Sequence, residues 1–143
     1  MNGFYNDLKA FRNRVGEELL RARRYATFVS LVSIDLSHIS RDDEIENFGT
    51  FSDFMVSLRR FVRESTRDTD LLTAADGRIY LLLVDTPLEG AHALSGRLQA
   101  ALRYFICDNI KSPLKWRAPM KEYSFPVSSN GTRDLHSFLD ELE

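Results

Sequence analysis

Residues 71–85 read LLTAADGRIYLLLVD. Two apolar runs are separated by Asp76-Gly77, a pair favoured in tight turns because it tolerates positive φ. The pattern predicts a β-hairpin and so commits the chain to a sheet. A second strand is predicted at TFVSLVSID, residues 27–35, where β-branched and aromatic residues are concentrated. Its apolar groups fall on both faces, Phe28, Val32 and Ile34 on one and Val29 and Leu31 on the other. That distribution suits a central strand covered on both sides. Asp35 stands at the carboxyl end of this strand, where α/β sheets tend to place their chemistry.

The covering layers are legible as helices. Phe4, Leu8, Phe11, Val15 and Leu19 recur at three- to four-residue spacing and make one apolar face. Phe51, Phe54, Met55, Leu58, Phe61 and Val62 form a second stripe, with Arg59, Arg63 and Arg67 spaced by four beside it. Pro87 can start a third helix, whose face is Leu94, Leu98, Ala101, Leu102, Phe105 and Ile106. A strand is expected around Glu122–Val127, a turn at Ser128–Gly131, and a short last helix carrying Leu135, Phe138, Leu139 and Leu142. The order is helix, strand, helix, hairpin, helix, strand, helix, with a βαββαβ core inside it. No repeat, low-complexity stretch or linker interrupts it. Residues 1–143 therefore read as a single α/β domain. The first helix, within residues 1–25, is expected to extend past the core through Phe4, Tyr5 and Leu8, an apolar surface that self-association would cover.

Composition excludes several classes. Nineteen Lys+Arg against 21 Asp+Glu leave a formal charge of -2, so a nucleic-acid partner is not expected. One cysteine rules out an internal disulfide framework and a cysteine-rich zinc module. No apolar run approaches the ~20 residues of a membrane helix, so membrane insertion is not expected. The opening MNGFYNDLKAFRNRV lacks the apolar core of a secretion signal, which gives a cytoplasmic expectation. His38, His92 and His136 show no ligand spacing, and no metal or cofactor is expected. Cys107 reads as a packed or half-exposed thiol, and Trp116 and Tyr123 as core or interface residues. The acidic run Asp42–Glu46 lacks the alternating ligands and glycine of a calcium loop.

Specific residues narrow the fold further. Ala22-Arg23-Arg24-Tyr25 followed by Ile34-Asp35-Leu36-Ser37-His38 resembles the opening of GGDEF domains, the diguanylate cyclases of bacteria. Arg67-Asp68-Thr69-Asp70-Leu71 resembles that family's RxxD-Leu element, and Asp76-Gly77-Arg78-Ile79-Tyr80 falls in the window of its GGDEF signature. The resemblance covers nearly the whole chain. It implies a nucleotide-cyclase-like fold: a ferredoxin-like βαββαβ core with a mainly antiparallel sheet flanked by helices.

The departures bear on activity. The resemblance gives Asp35 and the third signature residue the task of holding divalent metal on a triphosphate, work for hard carboxylate oxygens. Here that third residue is Arg78, which cannot ligate a metal; the fourth is Ile79, the first is Asp76, and only Gly77 is unchanged, with Tyr80 in place of Phe. The family's guanine-reading Asn falls on Asp43 and its helix Asp on Ser52, beside Asp53. Ile39-Ser40 replaces its Phe-Lys, and by resemblance the sequence is expected to end before the family's usual final helix with its lysine. The expectation is a degenerate domain with no catalytic residue and no cyclase activity. In active members the RxxD element binds the product, cyclic di-GMP. By resemblance Arg67 and Asp70 form such a site, with Arg63 and Arg59 adding phosphate contacts. The competing reading of Arg67 and Asp70 is a salt bridge at a helix end. Arg78 is expected either to pair with Asp35 in place of the metal or to point into solvent. The function expected is a signalling domain that binds cyclic di-GMP, a protein partner, or both. The alternative is a pure protein-interaction or dimerisation module without nucleotide binding.

Overall fold

The computed structural model describes residues 4–5, 7–37, 39, 48–75, 77–110, 118–127 and 133–141, the backbone alone at 4, 5 and 141. Ten elements follow one another: β1 (Phe4–Tyr5), α1 (Leu8–Tyr25), β2 (Val29–Asp35), α2 (Phe51–Glu64), β3 (Leu71–Ala75), β4 (Arg78–Val84), α3 (Leu88–Asn109), β5 (Met120–Phe125), β6 (Arg133–Asp134) and α4 (Leu135–Glu141). They form one sheet in the order β1-β3-β4-β2-β5-β6. The four long strands pair antiparallel throughout, and only the two-residue edge strands β1 and β6 pair parallel. Removing the edges leaves the βαββαβ core anticipated from the chain order.

Strand β2 explains the layering. Val32 and Ile34 face α2 and α3, in a core with Phe54, Leu58, Val62, Leu98, Leu102 and Ile106. Val29 and Leu31 face α1 and α4, with Phe11, Val15, Leu19, Tyr123 and Phe138. Each fully buried side chain of this size contributes about 1.5–3 kcal/mol relative to exposure. Because both faces of β2 are apolar, alternation alone does not set its register. Contacts at the strand ends must do so, and those ends carry the residues of interest below.

The helix ends follow local rules. Thr50 caps α2, its Oγ1 accepting from the Asp53 N–H at 3.0 Å, and Asp7 caps α1 by accepting from the Lys9 N–H at 2.9 Å. α1 closes on Ala26 in the left-handed region (φ 54°), which aims the Thr27 N–H at the Ala22 carbonyl.

Three sequence expectations need correction. The chain does not begin as a helix running past the core: Phe4–Tyr5 pairs with Leu72 and Thr73 of β3, and α1 starts at Leu8, which packs against the core. Phe28 precedes β2 and is exposed. The late strand runs from Met120 to Phe125, two residues earlier than its apolar pattern suggested, because pairing with β2 fixes Val29 opposite Phe125. The turn at 128–131, Leu142, His38, Asp42–Glu46 and Trp116 lie outside the described residues.

Asp134 links β6 to α4. Its carboxylate accepts from the His136 backbone N–H at 3.1 Å and lies 3.0 Å from His136 Nδ1. Partial burial pushes its pKa up, but the hydrogen bonds from His136 and the charges of His136 and Arg23 outweigh burial and hold it below the ordinary 3.8. A depressed folded pKa means that this group's stabilisation is complete above the unfolded value and fades as pH falls through the folded one. The melting temperatures of the wild type and Asp134→Asn are therefore expected to differ at pH 6 and converge at pH 2–3. A constant difference across that range would contradict the assignment.

Candidate functional site

One candidate site lies where β2 ends. The β2–β4 register sets Asp35 directly opposite Arg78, the first residue after the hairpin turn. Arg78 Nη2 stands 3.7 Å from Asp35 Oδ2, with both side chains partly exposed. The other carboxylate oxygen, Oδ1, accepts from the Ser37 N–H at 2.9 Å and from the Ser37 hydroxyl at 2.6 Å. Ser33, Lys121 and Tyr123 join this pair around a cavity of about 290 Å³ on the α1/α4 face. The turn is held against β2 by Gly77, whose carbonyl accepts from the Leu36 N–H at 2.8 Å.

The donor set that the described residues supply here does not fit a divalent cation. A hard metal ion needs several oxygen ligands whose negative charge offsets its own. Among the described residues one carboxylate is present, it already receives two hydrogen bonds, and the position opposite it carries a guanidinium. Ile79 and Tyr80, which follow Arg78, serve the fold. Ile79 is buried in the α2/α3 core. Tyr80 packs between Phe11 and Phe138, with ring centroids 6.4 and 5.3 Å away. Asp76 lies outside the described residues, as does Asp43; Ser52 and Asp53 are exposed on the first turn of α2.

The second candidate site lies at the other end of β4, six residues on. At ~3.3 Å per residue that places it about 20 Å away. Asp70, 2% exposed, faces back onto Arg67. Its Oδ2 accepts from the Arg67 backbone N–H at 3.0 Å and its Oδ1 from Arg67 Nη2 at 3.2 Å. Arg67 Nη2 also reaches the Val84 carbonyl at 3.0 Å and Thr86 Oγ1 at 2.5 Å. The pair therefore fastens the α2–β3 turn to the end of β4. Arg63 is spent on the same turn, donating to Thr66 Oγ1 and the Asp70 carbonyl, both at 2.9 Å. Arg59 is half-buried on α2, one turn before Arg63. Arg67 keeps an exposed flank, and with Arg97, Thr86 and Gly90 it lines a cleft of about 360 Å³.

Sequence reading grouped Arg59, Arg63, Arg67 and Asp70, and the structure brings Arg63, Arg67 and Asp70 to one turn. It missed Thr86, which receives Arg67 and in turn donates to the Val84 carbonyl at 3.0 Å. It also missed Arg97, on the far side of the cleft. Neither carried a signal: Thr-Pro ahead of a helix reads as a helix start, and an exposed arginine in a helix reads as solvated. Cys107 is exposed and Tyr123 is 1% exposed.

No family model and no curated protein sequence matches the chain. Solved structures do match its fold. A DGC protein from Thermotoga maritima superposes with a TM-score of 0.67 at 13% identity, over 94% of this chain and 89% of the other. The active GGEEF domain of a diguanylate cyclase from Vibrio cholerae gives 0.53 at 16% identity, over 85% and 75%. The diguanylate cyclase SiaD of Pseudomonas aeruginosa, solved in complex with its activator SiaC, gives 0.58 at 16% identity, over 85% and 47%. Identities this low speak for the fold alone, which is that of GGDEF domains.

Proposed function

We propose that this chain is a non-catalytic signalling domain of GGDEF fold that acts by binding. The observation carrying this reading is the 3.7 Å approach of Arg78 to Asp35. It occurs at the place where the family resemblance calls for a second acidic ligand. A guanidinium at that distance offsets the carboxylate's charge and opposes the entry of a divalent cation. Without metal the chemistry attributed to the family lacks the Lewis acid that would polarise a triphosphate there.

The ligand proposed is cyclic di-GMP, at the Arg67 cleft. The geometry alters the roles expected from sequence. Asp70 is buried and committed to Arg67, so it orients that side chain rather than meeting guanine. The exposed flank of Arg67 and the guanidinium of Arg97 are then the groups offered to phosphate, as charge-assisted hydrogen bonds. Arg63 holds the turn, and Arg59 adds charge behind it. Calorimetric titration of cyclic di-GMP tests this. Micromolar binding, weakened at least tenfold in both Arg67→Ala and Arg97→Ala, is the expected result. Absence of heat together with absence of a thermal shift at high ligand concentration would remove the ligand from the account.

A second reading rests on a different surface. Tyr25, Phe28 and Val127 are exposed by 64%, 45% and 44%. Phe28 and Val127 flank the paired ends of β2 and β5, where Val29 meets Phe125. Apolar side chains at one end of a sheet suit a protein contact, and SiaD, part of which shares this fold, was solved in complex with its activator SiaC. On this reading the domain works through a partner or a second copy. Light scattering showing a dimer that Phe28→Ser dissolves would support it; a monomer that captures no partner would count against it.

A further inference from the structure

The guanidinium of Arg67 is largely used up inside the protein. Its Nε faces Asp70 Oδ2 at 3.5 Å, and its Nη2 donates to Asp70 Oδ1 at 3.2 Å, to the Val84 carbonyl at 3.0 Å and to Thr86 Oγ1 at 2.5 Å. The two N–H groups of Nη2 thus serve three acceptors. Nη1 donates to no acceptor among the described residues, and the side chain keeps 58% of its surface in solvent. An arginine that reads guanine needs two nitrogens, one for O6 and one for N7. Both two-nitrogen edges of this guanidinium include Nη2. The edge of Nε and Nη2 lies on Asp70, and the edge of Nη1 and Nη2 has given Nη2 to Val84 and Thr86.

The groups that hold Nη2 are themselves fixed. Thr86 is buried, its hydroxyl donates to the Val84 carbonyl at 3.0 Å, and its own carbonyl accepts from the buried Ser30 hydroxyl at 2.7 Å. From the other side α3 closes on it. A Cβ at Gly90 would stand 2.7 Å from Thr86 Cγ2, so only glycine permits the approach. Asp70 is buried and accepts from both the backbone and the guanidinium of Arg67. Neither partner has room to turn aside and return Nη2 to a ligand. The rest of the cleft is equally poor in means of reading a base. Among the described residues no aromatic side chain lines it, and stacking on aromatic rings is a common way to hold an unpaired base. Asp85 lines it, but a carboxylate accepts from the amino group of guanine or of adenine. Arg97 lines the opposite wall, and its fork matches two oxygens of a phosphate.

From this geometry we infer that the Arg67 cleft recognises the phosphates of a cyclic dinucleotide and does not distinguish guanine from adenine. Arg67 meets a phosphate oxygen through Nη1 alone. The inference rests on the proposal that a cyclic dinucleotide occupies this cleft, and it widens the ligand from cyclic di-GMP to the class of cyclic purine dinucleotides.

Calorimetric titration of cyclic di-GMP and of cyclic di-AMP into the whole chain, wild type and Arg67→Ala, tests it. A two-nitrogen contact to guanine discriminates by about 5- to 150-fold. The expected result is a pair of wild-type Kd values within about fivefold of each other. Arg67→Ala should weaken both by about tenfold or more, with their ratio unchanged. A smaller folded fraction in Arg67→Ala would lower both affinities by one factor, so the ratio reports the contact and not the fold. A wild-type preference above about fivefold for either dinucleotide overturns the inference and leaves the proposed cleft occupied. So does a ratio that shifts in Arg67→Ala. Affinities that Arg67→Ala leaves unchanged overturn it too, because Arg67 then meets no ligand. Absence of binding by both dinucleotides removes the proposed ligand and the inference with it.

Discussion

Asp70→Ala is expected to lower the stability of the domain by about 3 kcal/mol, measured by urea or thermal unfolding. The carboxylate is buried and answers both the backbone N–H and the guanidinium of Arg67. Its removal leaves an orphan N–H in the turn and frees an arginine that now ties three segments together: the α2–β3 turn, the end of β4 and Thr86. For a domain of this size the change corresponds to a fall in melting temperature of roughly 10 °C. Arg67→Ala should cost less, about 1–2 kcal/mol, because the Asp70 carboxylate keeps the backbone N–H it accepts. The ordering distinguishes the two readings of the pair. An ordinary exposed salt bridge loses at most ~1 kcal/mol from either side. If Asp70→Ala falls in that range, the turn is not fastened as described.

Gly77→Ala is expected to cost about 2–3 kcal/mol. Gly77 has φ +75°, where an L side chain is strained. A Cβ built there would stand 3.0 Å from Ser37 Cα and 3.2 Å from its Cβ, too close for backbone that cannot rotate away. The turn would have to lift, and with it the bond from the Leu36 N–H to the Gly77 carbonyl. Arg78 follows Gly77 directly, so its approach to Asp35 would lengthen as well. A Gly77→Ala protein with the wild-type melting temperature would show that the turn has room which the structure denies it. The glycine is therefore kept by the close packing of hairpin on strand, whatever becomes of nucleotide chemistry at the same turn.

These two positions show why much of the fold was legible. The hairpin followed from Asp-Gly between apolar runs, and the helices from spacing. Both are local signals, and the four long strands and four helices form close to where they pointed, with β5 two residues early and α1 starting only at Leu8. Edge strands were not legible. Phe4–Tyr5 and Arg133–Asp134 are two residues each, too short to show a period, and they exist because the open edges of β3 and β5 supply partners. Phe4 and Leu8 shared the helical spacing of α1, so the pattern overran the Asp7 cap that begins the helix.

The site was legible in residues but not in roles. Arg67 and Asp70 were found together by their spacing, yet a spacing cannot say which side of a carboxylate faces solvent. Burial decided that, and it moved Asp70 from ligand contact to support. Arg78 and Asp35 lie more than forty residues apart, and only register makes them neighbours.

Incubation of the purified chain with GTP and either Mg²⁺ or Mn²⁺, followed by chromatography of the nucleotides, tests the central proposal most directly. The account predicts GTP recovered intact and no cyclic dinucleotide, because Arg78 stands where a second carboxylate would be needed. Formation of cyclic di-GMP that disappears in Asp35→Ala would contradict it.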